Sequence, residues 1–177
     1  RVQTGCDEPC AYCIIQSTRG ASRSVPIGDL LRQVERVAAA GFKEIALTGV
    51  HLGSYGSDLD QSTSLIDLLR ALDRRDNVLF RISSLEPMDC TPAIVDLVAG
   101  SRAFAPHFHL PLQAGSDRIL HRMNRQYTRG QFLEMVEMVR ASFDRPAITT
   151  DIIVAFPGET DDDFAQTLDV VEQAKFI

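Results

Sequence analysis

The hydrophobic positions of this chain switch repeatedly between helical and strand spacing. Ile27, Leu30, Leu31, Val34 and Val37 recur at helical intervals, and Gly41 predicts the cap that ends their helix. Lys43 to Thr48 is a short apolar run closed by Gly49 and predicts a buried strand. A glycine-rich loop, Val50 to Gly56, leads to Ser62–Ser64, which offer caps for a helix with Leu65, Leu68, Leu69 and Leu72 on one face. Val78 to Ser83 predicts the next strand, with Ser84 to Pro87 as its exit loop. Thr91 and Pro92 read as an N-cap and first helical residue, ahead of Ile94, Val95, Val98 and a closing Gly100.

The second half repeats the alternation. His107 to Leu112 predicts a strand that Pro111 weakens at its far end, followed by a short helix over Asp117 to Met123. Thr128 and Gln131 form a capping box for a helix with Phe132, Met135, Val136 and Val139 inward. Ala147 to Val154 is a β-branched strand, Phe156-Pro157-Gly158 turns out of it, and Thr160 and Asp163 cap a last helix carrying Phe164, Leu168 and Val171. Lys175 to Ile177 reads as the start of another strand, so the chain is expected to be a segment of a longer protein. Strict alternation implies a parallel sheet with right-handed crossovers. About five β/α units, short of the roughly eight of a closed barrel, predict an α/β fold: one domain, residues 1–177, built as an open partial (β/α) barrel. Chemistry in such sheets sits at the C-terminal strand ends. The loop Cys6–Cys13 and the segments Gly49–His51, Ser84–Glu86, Gln113 and Phe156–Gly158 are all expected on that rim.

Composition narrows the setting. Hydrophobic content of 45% and charged content of 24% fit a globular domain with a sizeable core. No apolar run reaches the ~18 residues of a membrane span, no signal-peptide pattern opens the chain, and the expected compartment is the reducing cytoplasm. A net charge of −6 argues against strong RNA binding by this segment alone. Arg19 with Arg23, and Arg118, Arg122, Arg125 and Arg129, are local basic groups that face either a phosphate backbone or simply solvent.

The densest chemistry lies in Cys6-Asp7-Glu8-Pro9-Cys10-Ala11-Tyr12-Cys13. Three thiolates spaced C-x3-C-x2-C can hold one metal centre. A cubane [4Fe–4S] cluster normally takes a cysteine on every iron, so this set leaves one iron open, and an open position marks a catalytic site. A structural zinc would want a second Cys pair, and a disulfide scaffold a higher cysteine density. The only other cysteine is Cys90, expected in a loop or at the surface. With Tyr12 before the third cysteine, the loop resembles the radical S-adenosylmethionine (SAM) superfamily. That resemblance implies the matching horseshoe fold, a [4Fe–4S] cluster on Cys6, Cys10 and Cys13, and S-adenosyl-L-methionine chelating the open iron, cleaved reductively to a 5′-deoxyadenosyl radical.

The likeness extends further along the chain. VQTGCDEPCAYCIIQSTRG, LTGVHLGSYG, RISSLEP, HFHLPLQAGSDRILHRMNRQYTRGQF and TTDIIVAFPGET are similar to tRNA methylthiotransferases. GVHLG and SSLEP resemble the MtaB-type branch, which adds a methylthio group to C2 of N6-threonylcarbamoyladenosine in tRNA. His51, Leu52 and Glu86 are then candidate substrate contacts. The alternatives are the isopentenyladenosine and ribosomal-protein branches, or a non-catalytic electron-transfer module using Cys90 as fourth ligand. Two departures stand out: Ala155 replaces a usual glycine and Ala114 a common serine. The family implies a second [4Fe–4S] cluster in an N-terminal domain and a C-terminal RNA-binding module, neither of which this chain carries. It also implies tRNA as partner and an electron donor such as flavodoxin or ferredoxin.

Roles follow from the resemblance and from rim position. Thr48 and Gly49 correspond to the segment that bonds the methionine amino group, and glycine permits close backbone approach. Tyr12 offers its backbone to adenine. Ser84, Gln113 and Asp151 suit ribose hydroxyls or the carboxylate, and Arg125 suits the SAM carboxylate bidentately. No acid–base residue is needed beyond the cluster ligands. His107 and His109 share a strand face and are expected to be buried or capping.

Overall fold

In the computed structural model, residues 1–60 and 63–176 are described. A two-residue strand β1 (Gln3–Thr4) pairs antiparallel with β2 (Arg23–Ser24), and between them lie the cysteine loop and a short helix α1 (Ile15–Arg19). Then come α2 (Ile27–Ala39), β3 (Glu44–Leu47), α3 (Leu65–Asp73), β4 (Leu79–Ile82), α4 (Pro92–Gly100), β5 (His107–His109), α5 (Asp117–Arg122), α6 (Arg129–Ser142), β6 (Ala147–Thr149) and α7 (Asp161–Ala174). Strands β3 and β4 pair in parallel with Ala46 opposite Arg81, and β5 and β6 with Phe108 opposite Ile148. Parallel bridges Phe80–Phe104, Ser84–His109 and Gln113–Ile152 continue the sheet from β4 to the path of β6. The result is the expected α/β architecture: an open curved parallel sheet with its helices packed on one side.

Strand and helix positions match the periodicity, and the differences have local causes. All four predicted strands are shorter than expected, β3 and β4 by one residue at each end and the later two by more. His107 to Leu112 keeps only β5, because Pro111 has no N–H for the ladder. Past β6, the Thr150 hydroxyl takes the Leu112 N–H at 2.9 Å and donates to the Leu110 carbonyl at 2.7 Å, replacing ladder bonds by side-chain bonds. The capping boxes at Ser64, Thr128 and Thr160 all form, whereas Ser62 and Ile177 lie outside the described residues. The predicted strand start at Lys175 is instead a left-handed cap on α7.

The core gathers on the helix side of the sheet. Phe80, Phe108, Leu110 and Leu112 meet Leu68, Leu69, Val95, Phe132 and Val139, all fully buried. Helix α7 contradicts its expected stripe: Phe164 and Leu168 are exposed, while Asp163, Thr167, Val170 and Ala174 face inward. Its first turn is held by polar bonds. Asp163 accepts from Ser116 Oγ at 2.6 Å and pairs with Arg118, and the Thr167 hydroxyl accepts the Gly115 N–H at 2.9 Å.

Candidate cluster and cofactor site

The cysteine loop is a ring closed at its own neck. Gly5 enters it at φ 73°, where a Cβ would collide with the Ala21 carbonyl. The Cys6 N–H bonds the Gly20 carbonyl at 3.1 Å, and the Asp7 carboxylate receives the Ser22 N–H at 3.2 Å. Inside the ring the Cys13 N–H bonds the Cys10 carbonyl at 3.1 Å, and the Glu8 N–H points at Cys6 Sγ, 3.4 Å away. All three thiols are free; Cys6 and Cys10 are half-buried and Cys13 is exposed. Burial raises the Cys6 thiol above its ordinary value against the Glu8 N–H, and the Cys10, Glu8 and Cys13 charges add to the rise.

Gln3, at 1% exposure, fixes this loop to the β3 exit. Its amide donates to the Gly5 carbonyl at 2.7 Å and to Ser22 Oγ at 2.8 Å, and accepts the Val50 and His51 N–H groups at 2.8 and 3.0 Å. A second clamp comes from the residues after α5. The Ala11 N–H bonds the Met123 carbonyl at 3.0 Å, and the Asn124 amide donates to the Pro9 carbonyl at 2.9 Å. Arg125 Nη1 lies 3.3 Å from Cys10 Sγ, and its Nη2 pairs with Glu86. Sequence reasoning missed Gln3 and Asn124. The one visible signal was an asparagine just past a short helix, a residue type that tolerates the left-handed φ of 59° found there.

His51, Glu86 and Arg125 come together with Cys10 around one small pocket, closed by Glu8 and Met88. His51 Nε2 sits 2.8 Å from Asp89 Oδ2, and its Nδ1 is 3.9 Å from Glu8. The Asp89 bond raises the imidazole pKa against the opposing effect of burial. Gly53 keeps this arrangement possible, since a Cβ there would overlap the Asp89 carboxylate. As built, His51 and Glu86 are engaged with protein groups, and Leu52 is 1% exposed and belongs to the core. Leu52 is therefore not a substrate contact in this structure. Arg125 already has a carboxylate, Glu86, in place of the expected SAM carboxylate.

The remaining predicted residues spread along the rim. Tyr12 packs edge-on to Phe156 at 6.4 Å, joining the cysteine loop to the Phe156–Gly158 turn. Thr48 is exposed and its carbonyl receives the Val2 N–H at 2.8 Å, while Gly49 lies half-buried beneath Leu52 and Gln3. Ser84 is exposed next to His109, whose imidazole reaches Thr149 at 2.9 Å and Asp151 at 3.2 Å. Gln113 sits at φ 63° and exchanges backbone bonds with Asp151 and Ile153, which leaves its side chain unassigned. His107 and His109 are half-buried, as expected of strand histidines. Three of the grouped arginines are neutralised, Arg118 by Asp163, Arg125 by Glu86 and Arg129 by Asp169, so this group reads as ion pairs and not as a phosphate face.

The donor set, three free thiols in one loop, fits a cluster that takes one thiolate on each of its irons. Among the described residues, no three His, Cys, Asp or Glu side chains converge on one ion position. A cubane needs no such convergence, because each thiolate binds a different iron. The buried Nε of Arg125, left without a partner, adds an unused donor beside Cys10. Cys90 lies in the loop before α4, as expected, but is buried there and not at the surface, and burial pushes its thiol up to about 12. It is poorly suited to be a fourth thiolate.

Comparison with known proteins identifies the family. The model of the radical SAM superfamily matches residues 1–171. A protein named tRNA-2-methylthio-N(6)-dimethylallyladenosine synthase from Carboxydothermus hydrogenoformans is 40% identical over 176 residues, 99% of this chain and 40% of the relative. One of the same name from Parafrankia sp. is 46% identical over 176 residues, covering 99% and 36%. The chain thus spans well under half the length of these relatives. Among solved structures, the radical S-adenosylmethionine methyltransferase TsrM from Kitasatospora setae matches 99% of this chain and 34% of its own at a TM-score of 0.80 and 17% identity. The cobalamin-dependent S-adenosylmethionine radical enzyme OxsB matches 97% and 26% at a TM-score of 0.76 and 17% identity, and at such identities the likeness concerns the fold. No helix among the described residues is long and apolar enough to cross a membrane.

Proposed function

The chain belongs to the radical SAM superfamily, and on that premise we propose that it is the cluster- and SAM-binding core of a tRNA methylthiotransferase. The observation that carries the reading is the free-thiol loop Cys6–Cys13 on the rim of the partial barrel, in a chain 40–46% identical to proteins named as methylthio-tRNA synthases. The names of those relatives favour a dimethylallyladenosine substrate. The resemblance to the threonylcarbamoyladenosine branch rested on GVHLG and SSLEP, whose His51 and Glu86 are occupied with Asp89 and Arg125. We therefore rank the dimethylallyladenosine reading first and the threonylcarbamoyladenosine reading second.

Cys6, Cys10 and Cys13 would hold a [4Fe–4S] cluster with one open iron, and SAM would lie along Tyr12, Thr48, Gly49, Ser84, Gln113 and Asp151. When bound, that pair supplies one-electron reductive cleavage of SAM, the hard chemistry that a cofactor brings to a protein scaffold. The chain's own task is to hold the loop, orient the cofactor and limit water. Gln3 and the Met123–Arg125 clamp do the first. The proposed partners are tRNA and a flavodoxin- or ferredoxin-type electron donor, with RNA affinity and a second cluster coming from modules outside residues 1–177.

The test is anaerobic reconstitution with iron and sulfide, dithionite reduction, and electron paramagnetic resonance with and without SAM. A SAM-dependent change of the signal and release of 5′-deoxyadenosine, both lost in Cys13→Ala, are expected. A cluster that ignores SAM would sink the reading. Full-length protein assayed on tRNA carrying either adenosine modification then decides the substrate, and turnover only on threonylcarbamoyladenosine would reverse the ranking.

A further inference from the structure

We propose that Arg125, balanced by Glu86, is a positioning residue that sets the reduction potential of the cluster through Cys10, a role that rests on the cluster reading above. Among the described residues, Cys10 is the ligand thiol that a charged side chain hydrogen-bonds. Arg125 Nη1 stands 3.3 Å from its sulfur, within range for a charge-assisted N–H···S bond. The guanidinium side chain is only 5% exposed, so water screens its charge little. Its geometry is over-determined: Nη2 is held by Glu86, the plane lies 5.1 Å over the Tyr127 ring, and the backbone N–H bonds the Leu120 carbonyl at 2.9 Å. Asn124, next in line, anchors the same turn to the Pro9 carbonyl. Arg125 therefore meets the loop at a fixed distance.

Hydrogen bonds to cluster sulfurs, net charge and solvent exposure set iron–sulfur potentials. Reduction adds negative charge, so a buried cation donating to a ligand sulfur favours the reduced form and raises the potential. Glu86 opposes it. With 23% exposure, it partly cancels the Arg125 charge while fixing the fork that carries it. The pair thus acts in two opposite senses on one centre. His51 and Glu8 face the same pocket and Asp89 pairs with His51, but among the described residues none of the three hydrogen-bonds Cys10. With Nη2 held by Glu86, a SAM-carboxylate role for Arg125 would have to use Nε or Nη1.

The decisive experiment is an electron paramagnetic resonance-monitored redox titration of reconstituted protein, comparing the unaltered chain with Arg125→Gln and Glu86→Gln. Arg125→Gln should shift the reduced fraction at fixed poise about tenfold toward oxidised, about 59 mV more negative for one electron. Glu86→Gln should move the midpoint the other way. Should Arg125→Gln fail to hold a cluster, Glu86→Gln and Arg125→Lys still decide the matter, the lysine keeping charge but not the fork and falling between the other two. Unchanged midpoints in variants that keep the cluster would overturn the proposal. So would a loss of SAM affinity in Arg125→Gln at an unchanged midpoint, which would return Arg125 to the SAM carboxylate. Failure of the unaltered chain to form any cluster would instead overturn the cluster reading itself.

Discussion

The loop from Cys6 to Gly20 and the core under β4 and β5 are held together by different forces. No residue of that loop is buried, whereas Phe80, Phe108, Leu110 and Leu112 are at most 1% exposed. The core is packed apolar surface, worth roughly 25 cal/mol per Å² removed from water. The loop is tied instead by polar bonds to distant segments, to Gln3 behind it and to Met123, Asn124 and Arg125 in front. Such a division lets the metal-binding surface stay open and reactive without weakening the fold. It also means that damage to the two regions should look different.

The largest effect should come from the core. Phe108→Ala is expected to cost about 3–5 kcal/mol in chemical denaturation, as large-to-small changes at buried aromatics do. Cys13→Ala, at an exposed thiol, should cost less than about 0.5 kcal/mol in the metal-free chain while abolishing cluster incorporation. Equal destabilisation by the two would break the contrast. Gln3→Leu lies between them. It strands the Val50 and His51 N–H groups and the Gly5 carbonyl, at about 2–3 kcal/mol. Hydrogen exchange should accelerate first at Val50 and His51, and a change confined to the α3–α4 core would contradict the clamp.

How much of this could be read from the chain differs in the same way. Core elements announce themselves by period: α2, α3, α4 and α6 lie where Leu30, Leu68, Val95 and Phe132 put them. The rim position of His51, Glu86 and Tyr12 was legible from strand ends. What they touch was not, because a contact between Cys10 and Arg125 spans 115 positions and leaves no periodic trace. The ribbon of β1 and β2 is two residues on each strand, too short to show a period. Helix α7 misled because its apolar stripe, Phe164 and Leu168, faces outward, while its capping carboxylate Asp163 is drawn in by Ser116 and Arg118.

A smaller effect tests the loop's electrostatic ties through pH. The folded pKa of His51 is raised, mainly by the hydrogen bond to Asp89. The protonated pair therefore stabilises fully below the ordinary value of about 6.5, and this contribution is lost as pH rises through the folded pKa. Asp89→Asn should cost about 1 kcal/mol at low pH, with the penalty shrinking toward alkaline pH. A nuclear magnetic resonance titration should show the His51 midpoint falling in the variant. A penalty that grows with pH would mean that His51 is neutral in this contact.

The smallest effect concerns the rim turn that Tyr12 leans on. Ala155 occupies φ 57°, a left-handed conformation that favours glycine, the residue the resemblance leads one to expect there. Its side chain is not held in the core, since the residue is exposed. A left-handed residue with a Cβ costs about 1–2 kcal/mol, and glycine returns about 0.5–1 kcal/mol of that to the unfolded chain's entropy. Ala155→Gly should therefore gain from a few tenths to about 1 kcal/mol in stability. The gain should leave Phe108→Ala and Gln3→Leu additive with it, because neither residue shares a described contact with the turn. A loss of stability would mean that the methyl group packs against something useful, and that the departure from glycine is an adaptation of the rim and not a tolerated cost.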